Sequence, residues 1–242
     1  MTDAAGRDGP EPTTRAPGRS CPAHRAYRCT ARLPALRGGG EERMMTIELT
    51  DNRIEIEMAG SDELSLDMMF DWLERMPVPE GYKAEIVEGN IFMSPQRANH
   101  WHIILDLVMQ LNARYPKERI MSDVRFDFPG ELNGFASDVI ALREGAETDD
   151  EERRRYQDIE FVAEVISRRT AHNGYGPKKD TYALAGVPVY LIVDPYLGQC
   201  HLYTAPEDGT YRVGPAIKFG DPVDLTDTVV GLTLETADFG RE

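Results

Sequence analysis

IEFVAEVI, residues 159–166, is the stretch of sequence that decides the fold. Its apolar residues alternate between the two faces of an extended chain, with Phe161, Ala163 and Val165 on one face and Val162 and Ile166 on the other. A strand that is apolar on both faces is typical of the centre of a sheet that is covered on both sides. A carboxylate in such a strand is costly unless it is paired or binds a metal. Glu164 is therefore either a site residue or a strand-end acid that reaches solvent or a salt bridge.

The segments around this strand predict the rest of the domain. Helical spacing of apolar residues predicts helices at 63–76, 100–111 and 175–185, the first capped by Ser61 or Asp62. Extended patterns predict a hairpin at 82–93 and strands at 119–128, 135–142, 159–166 and 188–194, with weaker strand patterns at 199–204, 210–213, 216–219 and 229–235. This order predicts an α/β or α+β domain around a mixed β-sheet. We assign residues 45–242 to this single domain.

The first 44 residues have a different composition. They are rich in Gly, Pro, Arg and Ala and show no hydrophobic periodicity. Such a composition buries too little apolar surface to order itself. The sequence therefore predicts that residues 1–44 are a disordered tail, or that the start codon has been assigned too early and Met44 or Met45 is the true start.

Charge and cysteine content restrict the function classes. The formal net charge is −15, so general attraction to nucleic acid is excluded, and any such contact needs a local basic patch or bound cations. The three cysteines form no CxxC motif, which argues against a disulfide scaffold and indicates a reducing cytoplasm. No run approaches the roughly 18 apolar residues of a membrane span.

Three more residues are candidates for chemistry, and each has an ordinary structural interpretation. Asp138 shares a face with the apolar end of its predicted strand, but it also fits a turn residue just before that strand. Glu85 lies in the predicted hairpin, where a Glu usually pairs with Lys or Arg in solvent. Lys178 lies on a predicted helix, where a lone Lys is usually exposed.

Together the candidates offer two or three acids on neighbouring strands and a lysine on the next helix. Mg²⁺ prefers such oxygen ligands, and a bound divalent ion polarises a phosphodiester and helps to ionise an attacking water. A lysine nearby can orient or deprotonate that water, or neutralise developing charge. His100 and His102 are two residues apart and do not share a helix face, so they form no zinc pair. Because P-loop, GxGxxG and GxSxG motifs are also missing from the sequence, carboxylate–metal chemistry remains.

A family resemblance spans residues 82–195. It is carried by Glu85-Ile86-Val87-Glu88-Gly89, His100 opening a helix, Ser137-Asp138-Val139, Glu164-Val165-Ile166-Ser167, Lys178 followed by Tyr182, and Val187-Pro188-Val189-Tyr190 running into Val193-Asp194-Pro195. In order and spacing, these pieces resemble the restriction-endonuclease-like family of the PD-(D/E)XK nuclease superfamily.

The resemblance implies a restriction-endonuclease-like mixed β-sheet flanked by helices, with a metal site at one edge. Asp138, Glu164 and Glu85 would bind the metal, Mg²⁺ with Mn²⁺ as a substitute, and the catalytic residues would be Asp138, Glu164 and Lys178. The implied activity is hydrolysis of DNA by a metal-dependent endonuclease, and nucleases of the superfamily are often homodimers. One departure is Gly174, four residues before Lys178, where similar members often have an acid.

Two alternatives stay open at this point. A catalytically inactive protein that keeps the fold as an interaction or regulatory module is favoured by Gly174 and by the net charge. A glycosidase-like carboxylate pair would need two acids about 5–10 Å apart across an open cleft, with no lysine between them. For a nuclease, Arg168 and Arg169 are the best candidates for a phosphate patch because they follow the Glu164 strand; Arg153–Arg155 follow a run of acids and fit a solvated face.

Overall fold

The computed structural model describes residues 64–75, 80–148 and 153–242, together with the backbone of three strands between residues 27 and 58. Its strands are β1 (Tyr27–Leu33), β2 (Arg43–Thr50), β3 (Arg53–Met58), β4 (Tyr82–Val87), β5 (Asn90–Pro95), β6 (Ile120–Met121), β7 (Arg125–Phe128), β8 (Asn133–Ala136), β9 (Val139–Leu142), β10 (Ile159–Val165), β11 (Val189–Asp194), β12 (Gln199–Glu207), β13 (Thr210–Val213), β14 (Ile217–Lys218), β15 (Val223–Asp224) and β16 (Thr233–Leu234). Its helices are α1 (Leu66–Arg75), α2 (Ala98–Leu111), α3 (Ala171–Tyr175) and α4 (Pro177–Leu184).

The first sheet is antiparallel. Within the described ranges its strand order is β1-β2-β3-β5-β4-β8-β7. The predicted hairpin is confirmed as β4 and β5. Its turn has positive φ angles at both central residues, 48° at Glu88 and 71° at Gly89, as in the type I′ turns that match the twist of paired strands.

The second sheet is the predicted mixed sheet. Its strands run in the order β13-β12-β11-β10-β9-β6 in the part of the chain that the structure describes, and β14 pairs with β12. The central pair, β10 and β11, is parallel, and the flanking pairs are antiparallel. Because two parallel strands need a crossover connection, α3 and α4 lie between β10 and β11 in the chain.

Both faces of β10 are covered, as its sequence predicts. On one face, Phe161 and Ala163 belong to a core cluster that contains the buried residues of α2. On the other face, Val162 packs in a second cluster with Tyr182 of α4 and with phenylalanines of β7 and β8. Glu164 lies between Val162 and Ile166 on this second face, so its side chain is directed toward α4 and the first sheet.

Three predicted elements are divided in the structure. The predicted strand 135–142 is two strands, because the chain leaves the first sheet after β8 and enters the second at β9. The predicted strand 119–128 is similarly divided into β6 and β7. The predicted helix 175–185 is interrupted at Gly176, which has φ −117° and ψ −106°; Pro177 then begins α4, at the position where a missing N–H costs nothing.

The N-terminal predictions are not tested. Ser61 and Asp62 lie outside the described residues, and so does most of residues 1–44, of which the structure gives the backbone of β1 and the first residues of β2. The disordered tail and the domain limit at residue 45 therefore remain predictions. No helix in the described ranges is both long and apolar enough to cross a membrane.

Candidate functional site

Asp138 lies where the chain passes from the first sheet to the second. It occupies the gap between β8 and β9, so the turn interpretation describes its backbone correctly. Its side chain is not solvated, however, because the residue is only 2% exposed. The Asp138 Oδ2 atom accepts a hydrogen bond from the backbone N–H of Val165 at 2.8 Å. This bond holds the carboxylate against the end of β10, one residue beyond Glu164.

Lys178 joins two of the other predicted residues. Its Nζ atom lies 2.5 Å from Glu164 Oε1 and 2.9 Å from Glu85 Oε1. The residue is 2% exposed, so the expectation that a lone helical Lys is exposed is wrong here. Glu85 is fixed from its other side by the backbone N–H of Ala136, which donates to Oε1 at 3.1 Å. The structure thus brings together four predicted residues from β4, the β8–β9 junction, β10 and α4.

Two more residues complete the cluster, and sequence reasoning missed both roles. Lys83 Nζ lies 2.7 Å from Asp138 Oδ1, 3.0 Å from Asp123 Oδ1 and 3.8 Å from Glu85 Oε1. His100 Nε2 lies 3.3 Å from Asp138 Oδ2. The alternation of Lys83 with Glu85 on one face of β4 was a usable signal. For His100 the sequence gave only its place in the first turn of a helix.

These residues form an alternating row of charges, which we name the carboxylate–lysine cluster. In order, it contains Glu164, Lys178, Glu85, Lys83, Asp138 and His100. Buried charges are tolerated when each has an oppositely charged neighbour. The row has one more carboxylate than ammonium group before the imidazole is counted, so it retains a demand for positive charge.

Tyr182 positions Glu164. Its hydroxyl donates to Glu164 Oε1 at 2.7 Å and lies 2.7 Å from Ser137 Oγ. Its ring packs edge-on against Phe135, with 5.5 Å between the centroids. Because Tyr182 is fully buried, it offers no ring face for stacking on a base.

The environment moves the two central acids in opposite directions. Burial would raise the pKa of Asp138, but the charge of Lys83 and the contact with His100 outweigh it and hold that pKa far below its usual range. Burial also raises the pKa of Glu164, and there the neighbouring charges of Lys178, Asp138 and Glu85 leave the pKa above its usual value. Paired carboxyl groups with diverging pKa values are characteristic of catalytic sites, although ion-pair networks show them too.

The lysines stay protonated in this setting. Burial alone would lower the pKa of Lys178, but the carboxylates of Glu164 and Glu85 outweigh burial and raise that pKa. Burial is likewise outweighed at Lys83, where Asp138 and Glu85 raise the pKa well above its usual value. Both side chains therefore act as ammonium groups.

The cluster opens to a small pocket. A pocket of about 30 Å³ is lined by Glu85, Glu164 and Lys178 together with Gly174 and the residues that follow β10. This is room for one or two water molecules next to the carboxylates.

Gly174 is explained by packing. An added Cβ at this buried position would lie 2.9 Å from Ile166 Cδ1 and 3.5 Å from the hydroxyl of Tyr190. The Gly174 carbonyl accepts a hydrogen bond from that hydroxyl at 2.9 Å. Any side chain here must displace Ile166, so the acid found in similar sequences cannot be added without repacking.

Comparison with known proteins agrees with this geometry. A family model described as "Uma2: Putative restriction endonuclease" matches residues 70–237, well over half of the chain. The chain belongs to the Uma2 family. Membership supports nuclease activity in general and confirms the restriction-endonuclease-like resemblance. No curated protein matches the sequence.

A solved structure shows the same fold as this Uma2 chain. It is a crystal structure from Anabaena variabilis described as a putative nuclease belonging to DUF820. The TM-score is 0.55 at 16% sequence identity, and the match covers 73% of this chain and 97% of that chain. At this identity the likeness establishes the fold alone.

The Uma2 cluster can be tested for its fit to a metal by its donors. No group of three or more His, Cys, Asp or Glu in the described part of the chain is arranged as a metal-binding group. Instead, the ammonium groups of Lys83 and Lys178 lie between the acids. Mg²⁺ usually takes only one or two protein carboxylates and keeps several waters. The excess carboxylate and the adjoining water-sized pocket fit that type of coordination.

Proposed function

We propose that this Uma2 protein is a metal-dependent endonuclease that hydrolyses DNA phosphodiester bonds at the carboxylate–lysine cluster. The observation that carries the proposal is the convergence of Asp138, Glu164 and Glu85 on two buried lysines. Burying so many charges is costly to stability, so an arrangement of this kind is more readily explained by chemistry than by folding alone.

Asp138, Glu164 and Glu85 would hold Mg²⁺, with Mn²⁺ as a substitute. Members of the restriction-endonuclease-like family generally use a divalent metal. When bound, such an ion polarises the phosphodiester and lowers the pKa of an attacking water. The residues with a fixed place for this task are Asp138, held by the Val165 N–H, and Glu164, held by Tyr182.

The protein's own residues divide the remaining work. Lys178 is an ammonium group because its pKa is raised, so it stabilises the negative charge that develops on the phosphate and does not act as a base. Glu164 has the raised pKa of the two central acids, so it is better suited than Asp138 to take a proton from water. Lys83 and His100 keep Asp138 ionised and in place.

DNA is the proposed substrate, acting through local positive charge. A chain with net charge −15 repels nucleic acid over most of its surface, so the substrate must be selected or delivered by a partner. We place this activity in the cytoplasm, and a homodimer is compatible with it.

A second candidate is an inactive Uma2 protein that keeps the fold for interaction. It is favoured by the pairing of Asp138, Glu85 and Glu164 with lysine ammonium groups, which compensates most of the charge internally. In that case the cluster is a structural ion-pair network, and it need not bind a divalent ion.

A cleavage assay separates the two candidates. The full chain is incubated with supercoiled plasmid and with single-stranded DNA in Mg²⁺, in Mn²⁺ and in EDTA. The variants are Asp138→Asn and Glu164→Gln, with Glu160→Gln as a control on the same strand; Glu160 contacts Tyr115 and Arg119 instead of the cluster. Metal-dependent nicking that both site variants lose and the control keeps supports the nuclease. No cleavage of either DNA by the wild type, in either metal, points to the inactive protein.

A further inference from the structure

A larger pocket adjoins the carboxylate–lysine cluster. It has a volume of about 250 Å³, and we name it the arginine pocket after Arg97, Arg168 and Arg169 in its lining. It shares Ile166 and Ser167 with the small pocket of the cluster, and His100 in its wall lies 3.3 Å from Asp138. A ligand that fills the arginine pocket therefore reaches the edge of the proposed catalytic site.

The arginine pocket is basic in a strongly acidic protein. Three arginines and a single acid, Glu242, line it, whereas the whole chain carries a net charge of −15. In the part of the chain that the structure describes, no acid forms an ion pair with Arg168 or Arg169. Guanidinium groups without an acidic partner, gathered beside a nuclease-like cluster, favour binding of phosphate oxygens.

Two features hold the basic wall in place. The Arg168 guanidinium lies over the ring of Tyr196, 5.0 Å from its centroid. Tyr196 itself sits in a turn whose backbone N–H groups, at Tyr196 and Leu197, donate to Asp194 Oδ1 at 2.9 and 3.0 Å. A stacked guanidinium loses less conformational freedom when it binds an anion.

Helix α2 contributes to the same wall. Its N-cap residue is Arg97, which makes no side-chain cap, and the first turn contains no acid. The first N–H groups of a helix carry partial positive charge, so an uncapped first turn favours an anion. Arg97 and His100, which bracket this turn, both line the arginine pocket.

An internal anion already lies in the arginine pocket. Glu242 Oε2 is 2.8 Å from Arg97 Nη1, and the Glu242 N–H donates to the carbonyl of Pro195 at 3.0 Å. The Glu242 side chain is 15% exposed, although Arg97 itself is largely exposed. The pocket thus binds a carboxylate within the same chain, which shows that it accepts an anionic group.

We propose that the arginine pocket binds a backbone phosphate of the DNA strand next to the bond that is cleaved, and that the Glu242 carboxylate competes with this phosphate for Arg97. The proposal rests on the proposed function for its substrate. It adds the residues that hold the strand, and it explains how an acidic protein contacts DNA at this one place.

The test is a binding measurement without metal, so that it does not depend on cleavage. Fluorescence anisotropy in EDTA follows a labelled short DNA duplex, and separately a labelled single strand, with the full-length protein over a range of salt concentrations. The variants are the double replacement Arg168→Gln with Arg169→Gln, and Glu242→Gln. The control is Arg212→Gln, an exposed arginine on β13, whose partner Thr204 pairs with the opposite end of β11 from Pro195.

The double variant is expected to bind DNA at least about tenfold more weakly, and its dependence on salt should fall by about 0.9 logarithmic units per lost duplex contact. Glu242→Gln is expected to bind several-fold more tightly, and Arg212→Gln to match the wild type. Unchanged affinity and salt slope in the double variant overturn the proposal. Competition by polyglutamate as effective as that by DNA also overturns it, because the pocket is then a general anion site. This binding pattern without any cleavage in Mg²⁺ would reject the nuclease function and leave the phosphate pocket standing.

Discussion

Replacing Lys178 by methionine removes the ammonium group that lies between Glu164 and Glu85. The lysine is 2% exposed, and the side chains of its two partners are only 8% and 14% exposed, so the charges left behind are poorly solvated. Breaking a buried ion pair from one side typically costs about 3–5 kcal/mol. Methionine is similar in length to the lysine stem, so little of this cost comes from a cavity. We expect the free energy of unfolding to fall by about 3–5 kcal/mol at pH 7.

A double-mutant cycle isolates the electrostatic part. Adding Glu164→Gln to Lys178→Met removes one of the two stranded carboxylates, so the double variant should be more stable than the sum of the single effects by about 1–3 kcal/mol. The measurement is urea unfolding followed by circular dichroism in EDTA. Additive effects, or a Lys178→Met cost below about 1 kcal/mol, would show that the cluster is not a coupled, buried network.

The same variant has a defined pH dependence. Without Lys178 the pKa of Glu164, already raised by burial, rises further in the folded protein. A carboxyl group with a raised folded-state pKa destabilises the protein only above its unfolded-state pKa, about 4.3 for Glu. The stability deficit of Lys178→Met should therefore be small near that pH and should grow as the pH rises through the folded-state pKa. A deficit that shrinks with rising pH would contradict this cause.

Three further predictions concern the surroundings of the site. Tyr182→Phe removes the hydroxyl that donates to Glu164, and it should lower the free energy of unfolding by about 1–3 kcal/mol in urea titrations. Gly134→Ala places a Cβ 2.4 Å from the ring of Phe70, so it should cost about 1–3 kcal/mol by forcing α1 away from β8. Burial raises the pKa of Cys200 to about 12, so roughly one thiol in ten thousand is ionised at pH 8, and it should resist thiol reagents until the protein unfolds.

Each of these has a control. For Gly134→Ala it is Gly214→Ala, where the nearest atom to the added Cβ is a carbonyl oxygen at an ordinary 3.6 Å; equal losses in both would argue against the α1 contact. For Cys200, replacing Cys21 and Cys29 by serine leaves a single thiol, and rapid labelling of the folded protein would refute its burial. For Tyr182→Phe, a loss that Glu164→Gln leaves undiminished would show that the hydroxyl does not act through Glu164.

The central strand could be predicted because its pattern is local. A run that is apolar on both faces needs two covering layers whatever lies elsewhere in the chain, and α2 and Tyr182 of α4 confirm them. The interruption at Gly176 and Pro177 was also visible as a Gly-Pro pair, which is a helix start as well as a break. The two sheets were not visible, because an alternating pattern continues through Ser137 and Asp138 while the hydrogen-bond partners change.

The site shows the same limit. Glu164 could be predicted because an acid in a buried strand needs a partner, and the resemblance supplied Asp138, Glu85 and Lys178. Lys83 was missed because a lysine in a hairpin has the pattern of an exposed residue; it is buried only because the second sheet and the β8–β9 junction pack over it. Such burial depends on contacts between residues 55 positions apart, and no local pattern records it.

Binding of a divalent ion is the most direct test of the claim that the carboxylate–lysine cluster is a metal site. Isothermal titration calorimetry with Mn²⁺ would be carried out on the full-length protein, on Asp138→Asn and Glu164→Gln, and on Glu160→Gln as the control, with folding of each checked by circular dichroism. The account predicts binding by the wild type and the control that both site variants lose. Absence of binding by the folded wild type, or equal binding by all four proteins, would contradict it.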